Sequence, residues 1–311
     1  MKKTSVSKVI VAGLGAAAVV SWAGAASAME GPTPYQPGIS IGAPAGALPP
    51  PGFYFLDDNV IITGPVKDHG GHDVGVNVNV YNNNPTLIWS PNFQLFGAQY
   101  STAVTQPYVL QTLNLGGSAT LGGTQSGIFN TVISPLNLSW NLGGGLFAKF
   151  GTAVYVNDGT YRTLNAGGGV KVTNPNSIAN NFWTIEPDIG LSWLNDGWNF
   201  TGHIIFDINT NNDDTHYQSG NDFYFDGTVA KTIGKFTVGA GFNITQQLNG
   251  DSGSGAALLG SSGKRFQYAN IGPLFAYEVG PVTFSAKYLA GLYAKDGART
   301  SFFHFDAFFP F

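Results

Sequence analysis

The chain has no cysteine among its 311 residues, and only 10% of them are charged. Without cysteine there is no disulfide and no thiolate metal site. A lipoprotein, which needs a cysteine at its processing site, is excluded for the same reason. Soluble globular domains carry about 25% charged residues, so the shortage of charge argues against an ordinary water-soluble domain. Acids outnumber bases, 18 to 14, which argues against nucleic acid as a partner. After residue 28 no run approaches the roughly 18 consecutive apolar residues of a membrane helix, and helical periodicity is nowhere sustained. If the mature chain lies in a membrane, a closed barrel of strands is what remains, because lipid leaves open backbone unsatisfied.

The first 28 residues read as an export leader. Lys2, Lys3 and Lys8 form a basic start, Val9 to Val20 a short apolar core, and Ala26-Ser27-Ala28 a small-residue cleavage motif before Met29. The competing reading, a membrane anchor, has too short an apolar core to span. Loss of the leader removes three lysines and no acid, taking the net charge from −4 to −7. Residues 29–52 then form a segment crowded with Pro32, Pro34, Pro37, Pro44, Pro49, Pro50 and Pro51. Proline cannot donate to a sheet ladder, so this is no central strand. The segment is expected either to fold into a lumen as a plug, with Leu48, Pro49, Pro50, Pro51 and Phe53 as its candidates, or to trail as a periplasmic tail.

From Phe53 onward apolar and polar residues alternate, the period of a strand with one greasy and one wet face. Trp198, Phe200, Ile204, Phe206 and Ile208 oppose Asn199, Thr201, His203, Asp207 and Asn209, and Val74, Val76, Val78 and Val80 oppose Asn77, Asn79 and Tyr81. About twelve strands are expected, at 52–66, 73–88, 92–110, 127–141, 143–158, 180–195, 197–210, 219–233, 235–249, 264–279, 281–295 and 299–311. The connections alternate long and short, as in outer-membrane barrels. Trp140, Trp183, Trp193 and Trp198 lie near strand ends, where an aromatic girdle belongs. Phe303, Phe305, Phe309 and the terminal Phe311 share one parity and resemble the signal read by barrel-assembly machinery. The expected fold is therefore an all-β, antiparallel up-and-down transmembrane barrel of residues 53–311 in the outer membrane of a Gram-negative bacterium. A periplasmic β-sandwich, the rival, would not need the low charge, the girdle or the terminal Phe.

With the apolar parity placed outward, Glu186, Asp188, His203, Asp207 and Asp226 line one stretch of lumen, and Lys149, Lys287, His304 and Asp306 fall inward elsewhere. They are candidates for a selective constriction; the plainer reading is that any barrel interior holds paired charges. His69-Gly70-Gly71-His72-Asp73 offers too few ligands for zinc and suits a turn. Asn211 to His216 lacks the spacing of a calcium loop. The glycine triplets at 143–145 and 167–169 precede no helix and so are not phosphate loops. The only strand-borne histidines, His203 and His304, face inward, poor placement for a lipid hydrolase. No catalytic residue, metal or cofactor is expected.

Three stretches carry a resemblance: Gly46 to Tyr54, Asn180-Asn181-Phe182-Trp183-Thr184-Ile185-Glu186-Pro187, and Phe206 to Gly220 with its Asn-Asn-Asp-Asp-Thr run. Gln246-Gln247, Asp251-Ser252-Gly253, Ile271-Gly272-Pro273 and Lys287-Tyr288-Leu289 extend it. Together they resemble the outer-membrane family named for the meta-pathway of phenol degradation. That resemblance implies a twelve-stranded type of barrel importing aromatic or other hydrophobic compounds, with outer-membrane lipid and a small hydrophobic solute as partners. A general porin for hydrophilic solutes and a structural or adhesive surface barrel are the alternatives.

Overall fold

The computed structural model describes residues 28–115 and 123–311. The expected leader, apart from Ala28, and part of the 111–126 link lie outside the described residues. Eighteen strands form among the rest, and most make a single ring. They are β1 (Gly52–Lys67), β2 (Asp73–Ser90), β3 (Gln94–Leu95), β4 (Ala98–Thr105), β5 (Tyr108–Leu115), β6 (Gly123–Ile128), β7 (Val132–Gly143), β8 (Leu146–Tyr155), β9 (Thr163–Gly167) and β10 (Val170–Thr173). Then come β11 (Thr184–Asn195), β12 (Trp198–Asn209), β13 (Asp222–Ile233), β14 (Phe236–Gln247), β15 (Gln267–Val279), β16 (Val282–Lys295), β17 (Gly297–Ala298) and β18 (Ser301–Pro310).

Every neighbour pair in the ring is antiparallel, and the ring closes because β1 pairs on one side with β18 (Ile61 opposite Phe303) and on the other with β2 (Ile61 opposite Tyr81). It has twelve staves, since two of them are broken strands. β4 and β5 form one stave interrupted at Gln106-Pro107, and β6 and β7 form another interrupted at Phe129–Thr131. The breaks correct the expectation of continuous strands at 92–110 and 127–141. Pro107 has no N–H to give the ladder. Three further expectations need trimming. The strand expected at 143–158 runs only from Leu146 to Tyr155, residues 180–183 lie outside any strand, and the 159–179 link folds into the hairpin β9–β10. The turn Asn195-Asp196-Gly197 joins β11 to β12 with φ of 48° and 72° at its last two residues, the left-handed geometry that a tight hairpin needs.

The wall alternates by environment. On β11, Thr184, Glu186, Asp188 and Ser192 are buried while Ile185, Ile189, Leu191 and Trp193 lie exposed on the outside. On β12, Thr201, His203, Asp207 and Asn209 are buried while Phe200 and Ile208 face out. At the end of the ring where β1 begins and β18 ends, aromatic rings cluster outside: Phe53 stacks on Trp89 at 6.1 Å and sits 6.2 Å from Phe311, and Trp198 stacks on Phe200 at 5.3 Å. This is an interfacial girdle, and it marks the periplasmic end.

One expectation is overturned at the opposite end. Apolar side chains do not face outward all the way up. On the upper part of β2, Asn77 and Asn79 are exposed outside, Thr63 donates to Asn79 at 2.9 Å, and Tyr81 donates to Asn59 at 2.6 Å. Val76, Val78 and Val80 point inward there and pack with Leu113, Val172, Leu164 and Leu259, or with Val109, Phe129 and Ile178. The staves β1, β2, β5 and β6 rise past the level where β8 ends, so their outer face meets water, not hydrocarbon, and the alternation inverts. A charge on the lipid face at mid-barrel costs about 2–4 kcal/mol, against about 0–1 kcal/mol near or beyond the interface. Ile189→Arg should therefore destabilise the barrel by about 3 kcal/mol and Asn77→Arg by under about 1 kcal/mol, measured by reversible denaturant unfolding in phospholipid bilayers. Equal costs would remove the inverted rim.

Candidate functional site

Residues 28–51 run inside the ring from its external end to its periplasmic end, held by wall side chains along the whole path. At the external end the backbone N–H of Met29 donates to Asp251 Oδ2 at 2.6 Å, and Glu30 accepts from Thr173 (2.7 Å), Asn212 (2.8 Å) and Thr215. Midway, the Tyr35 N–H donates to Asp207 at 3.3 Å and its hydroxyl to Asp226 at 2.7 Å. Asp226 also accepts from Gly38 N–H (3.2 Å) and the Ser40 hydroxyl (2.8 Å). Lower down, Gly42 N–H reaches Thr228 and Gly46 N–H reaches Ser192, while Ser139 donates to the Gly46 carbonyl at 2.8 Å.

The local chemistry explains the path. A Pro/Gly chain makes few ladder bonds and instead turns on itself, as Ile39 N–H to Gln36 O, Ile41 N–H to Gly38 O and Ala47 N–H to Pro44 O show. Glycine is required where segment and wall touch: a Cβ on Gly46 would lie 2.5 Å from Ser192 N, and one on Gly190 would lie 2.2 Å from the Ala45 carbonyl oxygen.

All nine residues singled out as lumen candidates are on the inner parity, and the structure sorts them into three groups. Asp188 accepts from Lys149 at 2.6 Å and from His203 at 2.8 Å, and the other nitrogen of His203 meets Ser40 at 3.0 Å. Asp207 and Asp226 hold Tyr35, and Glu186 accepts from the Tyr155 hydroxyl at 2.8 Å. Lys287 lies 3.4 Å from Asp306 and donates to the carbonyls of Ile39 (2.9 Å) and Ile41 (3.0 Å), with His304 alongside, 2.9 Å from Asp58. Asp58, His304 and Asp306 place their ligand atoms within 4.8 Å of one another, a spacing that suits a divalent cation, but the Lys287 ammonium already supplies positive charge to this group.

Of the expected plug residues, Leu48 and Pro49 are half-buried, and the Pro49 carbonyl accepts from Ser90 at 3.1 Å and from Gln99. Pro50 and Pro51 are exposed at the periplasmic end. Phe53 is not in the lumen: it stands on the outer face in the girdle, because the first strand has begun and its parity points out. Most of the hold on the segment falls on Tyr35, Gly38, Ser40, Gly42 and Gly46, none of which is among those plug candidates. Asp58 was also missed. Its neighbour Asp57 blurs the parity, and only its step of two from Val60 marks it as inward.

Above the Tyr35 level the lumen opens into a cavity of about 500 Å³. Its wall is formed by Ile62, Val76, Val78, Val80, Val109, Leu113, Phe129, Val132, Phe266 and Phe302, residues 28–37 run down through it from top to bottom, and Glu186, Tyr155 and Ile39 lie at its base. Glu30 lines its upper edge, and Tyr161 lies behind it, joined through Asn212, which donates to Glu30 at 2.8 Å and to the Tyr161 hydroxyl at 2.9 Å. Burial pushes the Glu30 carboxyl up against the pull of its Thr and Asn donors. Burial, with the Glu30 charge nearby, pushes the Tyr161 hydroxyl up to about 12. The Tyr161 hydroxyl therefore stays protonated, and able to donate, across ordinary pH. The arrangement can do one thing well: it shelters a small apolar molecule from water, with a few polar contacts at top and bottom.

A model of the family described as "Putative MetA-pathway of phenol degradation" matches residues 63–305. No curated protein matches the chain by sequence. Among solved structures, the COG4313 outer membrane channel from Pseudomonas putida F1 is similar with a TM-score of 0.70 at 12% identity, over 89% of this chain and 100% of that one. The β domain of the Bordetella autotransporter BrkA superposes with a TM-score of 0.47 at 11% identity, over 84% of this chain and 99% of that one.

Asp226→Ala removes the shared acceptor of Tyr35, Gly38 and Ser40 and should loosen the docked segment by about 2–3 kcal/mol. The measurement is chymotrypsin cleavage after Tyr35 in the folded protein, where the variant is cut and the wild type resists.

Proposed function

The chain belongs to the MetA-pathway family of phenol degradation, and we propose that it is an outer-membrane channel for small hydrophobic or aromatic compounds, closed at rest by residues 29–51. The observation that carries this reading is the inverted rim. It places apolar walls around a cavity of about 500 Å³ on the external side, where a porin for hydrophilic solutes would need polar walls and open water. Each Å² of apolar surface that a solute buries there stabilises it by roughly 25 cal/mol, so a single aromatic ring gains enough to concentrate in the cavity.

Below the cavity the segment lies across the path, and its shift would let a bound molecule descend past the polar groups of Asp207, Asp226 and Lys287. Hydrogen bonds between side chains and a Pro/Gly backbone suit such a shift, because they are made one by one and no sheet ladder has to open. The outward Phe303, Phe305 and Phe311 are the part of the chain that the barrel-assembly machinery would read. No catalysis is assigned, and His203 and His304 are both buried on the inner parity.

Two measurements test the reading. Binding of 1-naphthol to the refolded protein, followed by tryptophan and tyrosine fluorescence, should weaken at least about tenfold, or about 1.4 kcal/mol, in Val78→Trp, which fills the cavity; unchanged binding sinks the cavity as the solute site. In planar bilayers the intact protein should be closed or nearly so, and a protein lacking 29–51 should conduct. Large steady openings of the intact protein would instead favour a general porin.

A further inference from the structure

Glu30 and Asp251 are two acids brought together at the external end of the lumen, and neither has a Lys, Arg or His ion-pair partner among the described residues. Asp251 is buried. It gathers four donors: Gln247 Nε2 (2.6 Å), Gly220 N–H (3.0 Å), the Tyr217 hydroxyl, and the backbone nitrogen of Met29 at 2.6 Å. Four donors on one carboxylate make a built anion site, yet none of them carries a charge. Buried carboxylates are ordinarily paired with a cation.

The Met29 nitrogen is a backbone amide only while residue 28 remains attached. Ala26-Ser27-Ala28 is the small-residue motif after which an export leader is cut. Met29 also has φ of 82°, left-handed backbone that an unbranched residue other than glycine adopts uncommonly. That angle is defined by the carbonyl of residue 28. Hydrolysis of the 28–29 bond removes the carbonyl and the strain together, and turns the nitrogen into an ammonium.

We propose that cleavage after Ala28 creates an α-ammonium that docks on Asp251, so that the new N-terminus is itself the cation of a built site at the external end of the lumen. The ion pair ties the far end of the lumen segment to the loop between β14 and β15, and through Glu30 to β10 and the loop after β12. A chain still carrying its leader has no such charge and holds a neutral amide there. Burial raises the Asp251 carboxyl, and burial with the Asp251 charge raises that of Glu30, as expected where the compensating cation is absent from the uncleaved chain. The groups that face the ammonium are Asp251, the Tyr217 hydroxyl and, farther off, Glu30. The inference is independent of what the cavity binds.

The test uses the processed protein exported to the outer membrane. N-terminal sequencing should begin at Met29; another start overturns the proposal. Reductive methylation at neutral pH, read by ¹³C NMR, should label the α-amine at least tenfold more slowly in the folded barrel than in urea. Equal rates overturn the proposal, since a tail free in water is labelled at the unfolded rate. In Asp251→Asn, with the barrel verified by its heat-modifiable gel mobility, labelling should rise toward the unfolded rate. Retained protection in that variant would assign the burial to packing alone and overturn the ion pair. Binding of 1-naphthol, measured separately, reports on the cavity and not on this pair.

Discussion

Hydrocarbon offers a peptide group no hydrogen-bond partner, and the architecture here follows from that constraint. Strands crossing lipid must give every N–H and C=O to a neighbour, so the sheet must close, and β1 closes it by pairing with both β2 and β18. Closure at twelve staves fixes the width of the interior. Eight staves leave a bore that side chains can fill, and sixteen leave a water channel. Twelve leave a bore too wide for side chains alone and too narrow to go unobstructed once another chain segment enters. The inward acids, amides and hydroxyls of the wall find partners in the backbone of residues 28–51, and that backbone, rich in proline and poor in ladder bonds, finds its partners in them. Segment and wall satisfy one another.

The same rule stops applying where the staves leave the membrane, and the chain shows it. Within the membrane the greasy parity faces out and the wet parity in. Above it, on β1, β2 and β5, the parities exchange roles although β1 and β2 keep one register from the Gly52–Ser90 pair to the Pro65–Asn77 pair. The external loops then close over the inverted part: β9–β10, the 174–183 stretch and the helix Gly253–Leu259 supply Val172, Ile178 and Leu259 to its inner face.

Much of this was legible in the sequence, because strand parity is a local property. Trp198 to Asn209 announces its two faces within twelve residues, and Asp196-Gly197 announces the turn before it. The parity of the nine charged lumen residues could be read in the same way. What could not be read was the surroundings of each face. Val76, Val78 and Val80 alternate like any lipid-facing set, and nothing in their spacing tells whether lipid or a cavity lies beside them; that depends on how far neighbouring strands rise, a property of the whole ring. Contacts of the N-terminal segment were hidden for a related reason. Gly46 meets Ser192 and Ser139 across more than ninety residues of chain, and Tyr35 meets Asp226 across 191, separations over which a sequence carries no periodic mark. Proline content drew attention to Leu48–Pro51, whereas the gripping residues are the small ones upstream, where a close approach needs glycine.

The size of the inverted rim has a kinetic consequence. A chamber of about 500 Å³ accommodates roughly one aromatic molecule of modest size. In the channel proposed above, transit would be governed by occupancy: flux would rise with external concentration only until the chamber is filled most of the time, and beyond that level off at the rate at which a resident molecule departs. Two different apolar compounds presented together would compete for the same berth, each slowing the other in proportion to its own partition into the chamber. A barrel of this kind would behave less like a sieve, whose throughput is linear in concentration, and more like a carrier with a queue of length one.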